Sequence, residues 1–214
     1  MLVIKKFIFN PFSENTYVIW DEETNEGMVI DPGCSDGSEE DDLVNFIDAR
    51  NITIKYLIIT HSHIDHILGC RFIKEKFSPM YLVPKDDIPL LEEAKAQAFT
   101  FGLEIETPPL PDDYLFENSD ISLGGSKVKV LFTPGHSPGE HCLYFEKEKF
   151  CITGDVLFKN SVGRTDLWKG DYSILMESIK NKLLTLPNDV VIYPGHGESS
   201  KIGIEKQENP FLRN

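Results

Sequence analysis

Apolar and polar positions along this chain sort mostly into strand-length runs separated by turn residues, with helical spacing in a few stretches. FIFNPF, NTYVIWD and EGMVIDPG alternate or run apolar between turns, which predicts a meander of antiparallel strands. SEEDDLVNFIDARN places a serine cap and acidic residues ahead of Leu43, Phe46 and Ile47 on one face, an amphipathic helix. IKYLIIT is short and rich in β-branched residues, a buried strand, and ILGCRFIKEKF resumes helical spacing. Residues 79–118 are less regular: prolines bracket MYLV, a helix is expected at LLEEAKAQAFTFG, and ETPPLPDD predicts a surface excursion that could serve as lid or cleft wall. DISLGG, KVKVLFTPG, HCLYFEKEK and FCITGD return to strands, followed by a helix at DYSILMESIKNKLLTLP and a strand at DVVIYPG. Strand–helix–strand order in both halves predicts an α/β protein with two sheets face to face and helices outside. No low-complexity tract or linker interrupts it, so one domain over 1–214 is expected.

An apolar strand ending in x-Pro-Gly occurs three times: VIDPG at 29–33, LFTPG at 131–135 and VIYPG at 191–195. The second and third are each followed by a histidine, His136 and His196. IKYLIIT is followed by HSHIDH, with His61, His63, Asp65 and His66, and FCIT by Gly154-Asp155. Of the 6 histidines only His141 falls within a strand-like run, and it is read as structural. Strand ends in a sheet converge on a common rim. Along an extended strand end His61 and His63 point the same way, whereas Asp65 and His66 enter a turn and face elsewhere. Seven nitrogen and oxygen donors exceed the three protein ligands and water of one catalytic zinc and suit two ions sharing a carboxylate. Without cysteine among the donors, Zn, Fe or Mn fits.

Composition narrows the partners. A net charge of −14, with an acidic run at SDGSEEDD and no compensating basic patch, disfavours nucleic acid. No stretch is long and apolar enough for a membrane span, and MLVIKKFIFNPF lacks the layout of a signal peptide, so a cytoplasmic protein without a membrane partner is expected. The 4 cysteines form no CxxC. Cys70, Cys142 and Cys151 are expected as buried free thiols, while Cys34, after a Pro-Gly turn, could lie exposed near a site.

THSHIDH, TPGHS, TGD and YPGHG, in this order, resemble the signature of the metallo-β-lactamase superfamily, and the likeness spans most of the chain. The resemblance implies a four-layer αββα sandwich with metals at one edge. It also implies that His61, His63 and His136 hold one ion, that Asp65, His66 and His196 hold a second, and that Asp155 bridges them. The reaction implied is hydrolysis by a metal-activated water, with Asp65 also orienting it. Ser62 and Ser137 neighbour these residues, but no nucleophile elbow supports a serine mechanism.

LFKNSVGRTDLWKGDY (157–172) and GIEKQENPFLRN (203–214) are similar to the small bacterial glyoxalase II-like, or hydroxyacylglutathione hydrolase, group. That implies a small acyl thioester such as S-lactoylglutathione as substrate. Arg164 then stands either as an anion clamp on the thiol carrier or as an internal ion pair with Asp166. The C-terminal helical extension by which full-length glyoxalase II contacts glutathione is not expected in this domain. GRTD also resembles the persulfide dioxygenases of the same superfamily, which would use one iron on His61, His136 and Asp155. A lactonase or other small-ester metallohydrolase is a further alternative. Phe99 and Phe101 are expected in the core, or else as a wall of the acyl pocket.

Overall fold

β-Branched and aromatic runs form the strands that the spacing predicts. In the computed structural model, which describes residues 1–213, Asn214 of the closing segment 203–214 lies outside the described residues. By internal packing the chain divides into two compact units, Met1–Tyr114 with Ser122–Ser126, and Leu115–Ile121 with Lys127 onward.

The first unit opens with the predicted meander: β1 (Leu2–Phe9), β2 (Glu14–Asp21) and β3 (Glu26–Ile30), each antiparallel to the one before. Helix α1 (Gly37–Asp48) crosses to β4 (Thr53–Ile58), which is parallel to β3. Helices α2 (Ile64–Ile67) and α3 (Cys70–Phe77) lead to β5 (Met80–Pro84), parallel to β4. Then come α4 (Ile88–Glu92), α5 (Ala94–Thr100) and β6 (Asp113–Leu115), giving a sheet ordered β1-β2-β3-β4-β5-β6. Leu43 and Ile47 of α1 and Ile73 of α3 pack with Val18, Trp20, Val29 and Leu57. Each such side chain contributes about 1.5–3 kcal/mol when fully buried.

Three local expectations change. The cap of α1 is Asp36, not Ser38: its Oδ1 accepts from the amides of Ser38 and Glu39 at 2.8 and 3.0 Å. A short carboxylate at that position satisfies two orphan amides and also suits the positive end of the helix. The helix expected from ILGCRFIKEKF is broken into α2 and α3, because the Gly69 amide leaves the ladder and donates to Pro32 O at 2.7 Å. A Cβ at Gly69 would come within 2.2 Å of Cys34 Sγ, so the close approach requires glycine. The single helix expected at LLEEAKAQAFTFG is split at Glu93, and Gln97 Nε2 donates to Leu90 O at 2.7 Å beside the break.

The second sheet is ordered β14-β13-β10-β9-β8-β7. It comprises β7 (Ile121–Leu123), β8 (Ser126–Phe132), β9 (His141–Phe145) and β10 (Phe150–Gly154), then, after a hairpin of β11 (Leu157–Phe158) and β12 (Ser161–Val162), β13 (Val191–Pro194) and β14 (Ser200–Lys201). β10 and β13 are parallel, so this sheet is mixed like the first. The crossover holds α6 (Tyr172–Ser178), capped by Asp171 and continued by a π turn, and the chain closes with α7 (Ile202–Glu208). Leu175, Ile179 and Leu183 pack with Tyr144, Cys151 and Ile192.

All four cysteines are free and buried, Cys34 included, which corrects its expected exposure. Phe99 and Phe101 are not core: they are 85% and 52% exposed, with the Phe101 ring edge-on to Phe12. No helix among the described residues is long and apolar enough to cross a membrane.

Candidate metal centre

In the first unit β4 continues through Ile59 and Thr60 into the histidine loop. His63 keeps an extended backbone (φ −69°, ψ 152°) as the residue before α2, and Asp65 and His66 lie within that helix. The expected division of HSHIDH into an extended pair and a helical pair is therefore present. His61, His63 and His66 are all buried. Donor atoms of His61 and His63 lie within 4.8 Å of each other, as do those of His61 and His66. His66 Nε2 lies 3.6 Å from Asp65 Oδ2.

Buried polar groups orient these rings. Thr60 N and Oγ1 donate to the two carboxylate oxygens of Asp31, each at 2.7 Å. The hydroxyl proton is thereby committed to Asp31, so at 3.1 Å Thr60 Oγ1 can only accept from His61 Nδ1. His66 Nδ1 lies 3.1 Å from Asp31 Oδ2, within ion-pair distance of the same carboxylate. Ser62, between the first two histidines, donates its amide to Asp87 Oδ2 at 3.0 Å, and its carbonyl accepts from Gln97 Nε2 at 3.1 Å. Behind the loop, Asn10 Nδ2 donates to Asp65 O and Gly33 O. Burial pushes the Glu14 carboxyl well up from its ordinary value, and Glu14 Oε2 meets Thr16 Oγ1 at 2.8 Å.

In the second unit His136 follows β8, Asp155 follows β10 and His196 follows β13, as their strand ends predict. Asp155 Oδ2 lies 3.6 Å from His136 Nε2 and 3.6 Å from His196 Nε2. Two donors bound tetrahedrally about 2.0–2.1 Å from one zinc are roughly 3.3–3.4 Å apart. The observed spacing is thus near that of co-ligands and longer than a hydrogen bond. His136 Nδ1 meets Arg164 O at 2.7 Å; a carbonyl only accepts, so Nδ1 carries the proton and Nε2 presents its lone pair. The Asp155 amide donates to Glu140 Oε1 at 2.7 Å, and Glu140 is fully buried. His141, in β9, is buried with Nδ1 2.6 Å from Gly139 O, in keeping with a structural role.

This donor chemistry fits divalent metal. His61 and His136 each engage an oxygen acceptor through Nδ1, which fixes the tautomer that offers Nε2, the usual arrangement of ligating histidines. Arg164 sits differently from its expected clamp role. Its Nε and Nη2 donate to Asp166 Oδ1 and Oδ2, both at 2.7 Å, the internal ion pair foreseen as the alternative. That guanidinium holds the Asp166 carboxyl down to about 2.

Asp31, Thr60, Asp87, Gln97 and Glu140 were not identified from the sequence as part of the site. Asp31 had a signal, since it occupies in VIDPG the place just before the Pro-Gly of the two histidine-bearing repeats. Thr60 opens THSHIDH directly before His61, whereas Asp87, Gln97 and Glu140 carry no signal, because each acts through a partner distant in sequence.

The family model described as the metallo-beta-lactamase superfamily matches residues 9–196. A hydroxyacylglutathione hydrolase, GloC, of Haemophilus influenzae is 38% identical over 203 residues, 94% of this chain and 93% of that protein. Crystal structures of the B3 metallo-beta-lactamase BLEG-1 and of a protein in a di-iron-bound form are 32% and 34% identical, with TM-scores of 0.91 and 0.87. They are covered over 100% of their chains and cover 99% and 97% of this one. The chain, with its two mixed sheets and its helices, belongs to the metallo-β-lactamase superfamily and has that fold.

Proposed function

We propose a binuclear centre, with His61, His63 and His136 for one ion, Asp65, His66 and His196 for the other, and Asp155 shared. The protein is then a metal-dependent hydrolase of small acyl thioesters, with S-lactoylglutathione or a close relative as substrate. The observation that supports the reading is the position of Asp155 Oδ2, 3.6 Å from both His136 Nε2 and His196 Nε2, which would be ligands of different ions. The thioester class is supported by likeness to the hydroxyacylglutathione hydrolase, which extends over nearly that whole protein.

Two bound divalent ions would supply an acidified water and an electrophile for the acyl carbonyl oxygen. The chain's own part is to hold and orient. Asp65, with a side chain 14% exposed, accepts a proton from the attacking water and keeps its lone pair aimed at the acyl carbon. Attack forms a C–O bond at that carbon and breaks the C–S bond, and the proton held by Asp65 passes to the leaving thiolate, giving carboxylic acid and thiol. Arg164, once it exchanges Asp166 for substrate, contacts an anionic group of the thiol carrier.

Metal content per chain with thioester turnover tests the reading. About two Zn, Fe or Mn ions and hydrolysis of S-lactoylglutathione are expected. One iron with oxygen uptake on glutathione persulfide, or turnover confined to lactones, would overturn it.

A further inference from the structure

The closing ENPF motif sits over a buried polar node. Glu205 and Asn209 are both fully buried. Glu205 Oε2 accepts from the Asn160 amide and from Asn209 Nδ2, each at 2.8 Å, while its Oε1 accepts from the Ser200 hydroxyl. Asn209 Nδ2 also donates to Ser161 O at 3.0 Å, and its Oδ1 accepts from the Phe211 amide at 3.0 Å. Asn160 lies in the turn of the β11–β12 hairpin with a left-handed φ of 58°, and Ser161 opens β12. Ser200 belongs to β14, four residues beyond His196.

The same hairpin ends at Gly163 and Arg164. Gly163 N donates to Val156 O at 3.2 Å, and a Cβ there would lie 2.0 Å from Asp155 O and 3.2 Å from His136 Cβ. The hairpin is therefore pressed against the backbone of one donor and the side chain of another. Its next residue places Arg164 O on His136 Nδ1.

We propose that Glu205 and Asn209 are positioning residues for metal binding: they clamp the β11–β12 hairpin so that the Arg164 carbonyl fixes the His136 tautomer, and tie it to the segment that follows His196. The proposal rests on the binuclear reading. An Asn and a Glu at the C-terminus thereby act on a ligand about seventy positions earlier without touching metal or substrate. Burial gives the clamp its strength, since a hydrogen bond lost there leaves a desolvated carbonyl or carboxylate behind.

Asn209→Ala and Glu205→Gln test it, with Lys206→Met as control. Lys206 anchors the same helix to Asn188 and Leu186 O and makes no hydrogen bond to the hairpin. Zinc-loaded protein is mixed with a chromophoric chelator, and ring 15N spectra of histidine are recorded on the metal-free protein. Both clamp variants should weaken retention of one of the two ions about tenfold and remove the Nδ1–H signature of His136. Lys206→Met should lower the melting temperature and change neither readout. If Asn209→Ala does not fold, Glu205→Gln carries the test. Folded variants that keep the wild-type release rate and tautomer overturn the clamp. If the unaltered chain binds no zinc, iron or manganese, the binuclear reading fails, while the tautomer readout still decides whether the clamp sets His136.

Discussion

Thr60 and Asp31 are joined twice, amide to Oδ1 and hydroxyl to Oδ2, each at 2.7 Å. Asp31 holds this place with φ of 49°, a left-handed backbone that costs a non-glycine residue of order 1–3 kcal/mol. The conformation is kept because the Asp31 amide also donates to Ile58 O, fastening the residue to the end of β4. One carboxylate thus faces both His66 Nδ1 and the hydroxyl that receives His61 Nδ1. Two proposed ions share a single buried orienting group.

Thr60→Val keeps the shape and removes the hydroxyl. His61 loses its acceptor and Asp31 one of its donors, so metal affinity should fall about 10–100-fold. Stability should fall by about 1–3 kcal/mol from the desolvated carboxylate oxygen. Thr60→Ser should restore most of the affinity. Competition with a calibrated chelator and urea denaturation check the two effects, and wild-type affinity in Thr60→Val would remove Thr60 from this role.

Asp65→Ala removes the proposed proton acceptor together with a ligand of the second ion. Occupancy should drop from about two ions per chain towards one, and thioester hydrolysis should fall severely. Paired metal analysis and steady-state kinetics check it. Full activity in this variant would sink the binuclear mechanism.

The primary donors were legible because each stands immediately beyond an apolar run, and the ends of β4, β8, β10 and β13 are set by local pattern. His61 and His63 against Asp65 and His66 could be divided because the change from extended chain to helix lies within HSHIDH itself. The breaks in the helices were not legible. Gly69 turns away because Pro32 O, distant in sequence, accepts its amide, and Gln97 caps Leu90 only once α4 has packed. Asp87, Glu140 and Glu205 escaped for the same reason. A buried carboxylate looks like any surface acid until the fold brings a backbone amide to it.

The cysteines give a pH-dependent prediction. Burial pushes the Cys34 and Cys70 thiols well above the ordinary 9.0, so the folded protein keeps them protonated where unfolded chains ionise. Their contribution is fully present below that value and is lost as pH rises past it, because the unfolded state then binds fewer protons. Denaturant unfolding at pH 8 and pH 10 should show a larger loss of stability for the natural chain than for Cys34→Ala/Cys70→Ala. Native protein should also resist alkylation at pH 8, while unfolded protein takes up four labels. Rapid native labelling of Cys34 would contradict its burial.

Arg164 and Asp166 form a bidentate pair whose side chains are 62% and 68% exposed, so solvent screening leaves the pair little weight in stability. An anionic substrate group must compete with Asp166 for the same guanidinium. Asp166→Ala should therefore lower KM for a glutathione thioester severalfold, and Arg164→Ala should raise it by a similar factor. Both should leave kcat near the natural value, because the His136 contact comes from the Arg164 backbone and survives either change. The KM effects should shrink as salt is added, since exposed charges are screened. Melting temperatures should stay within a few degrees. Opposite movements of KM at constant kcat identify a clamp that Asp166 holds in reserve, whereas unchanged KM in both variants would leave Arg164 as a surface ion pair only.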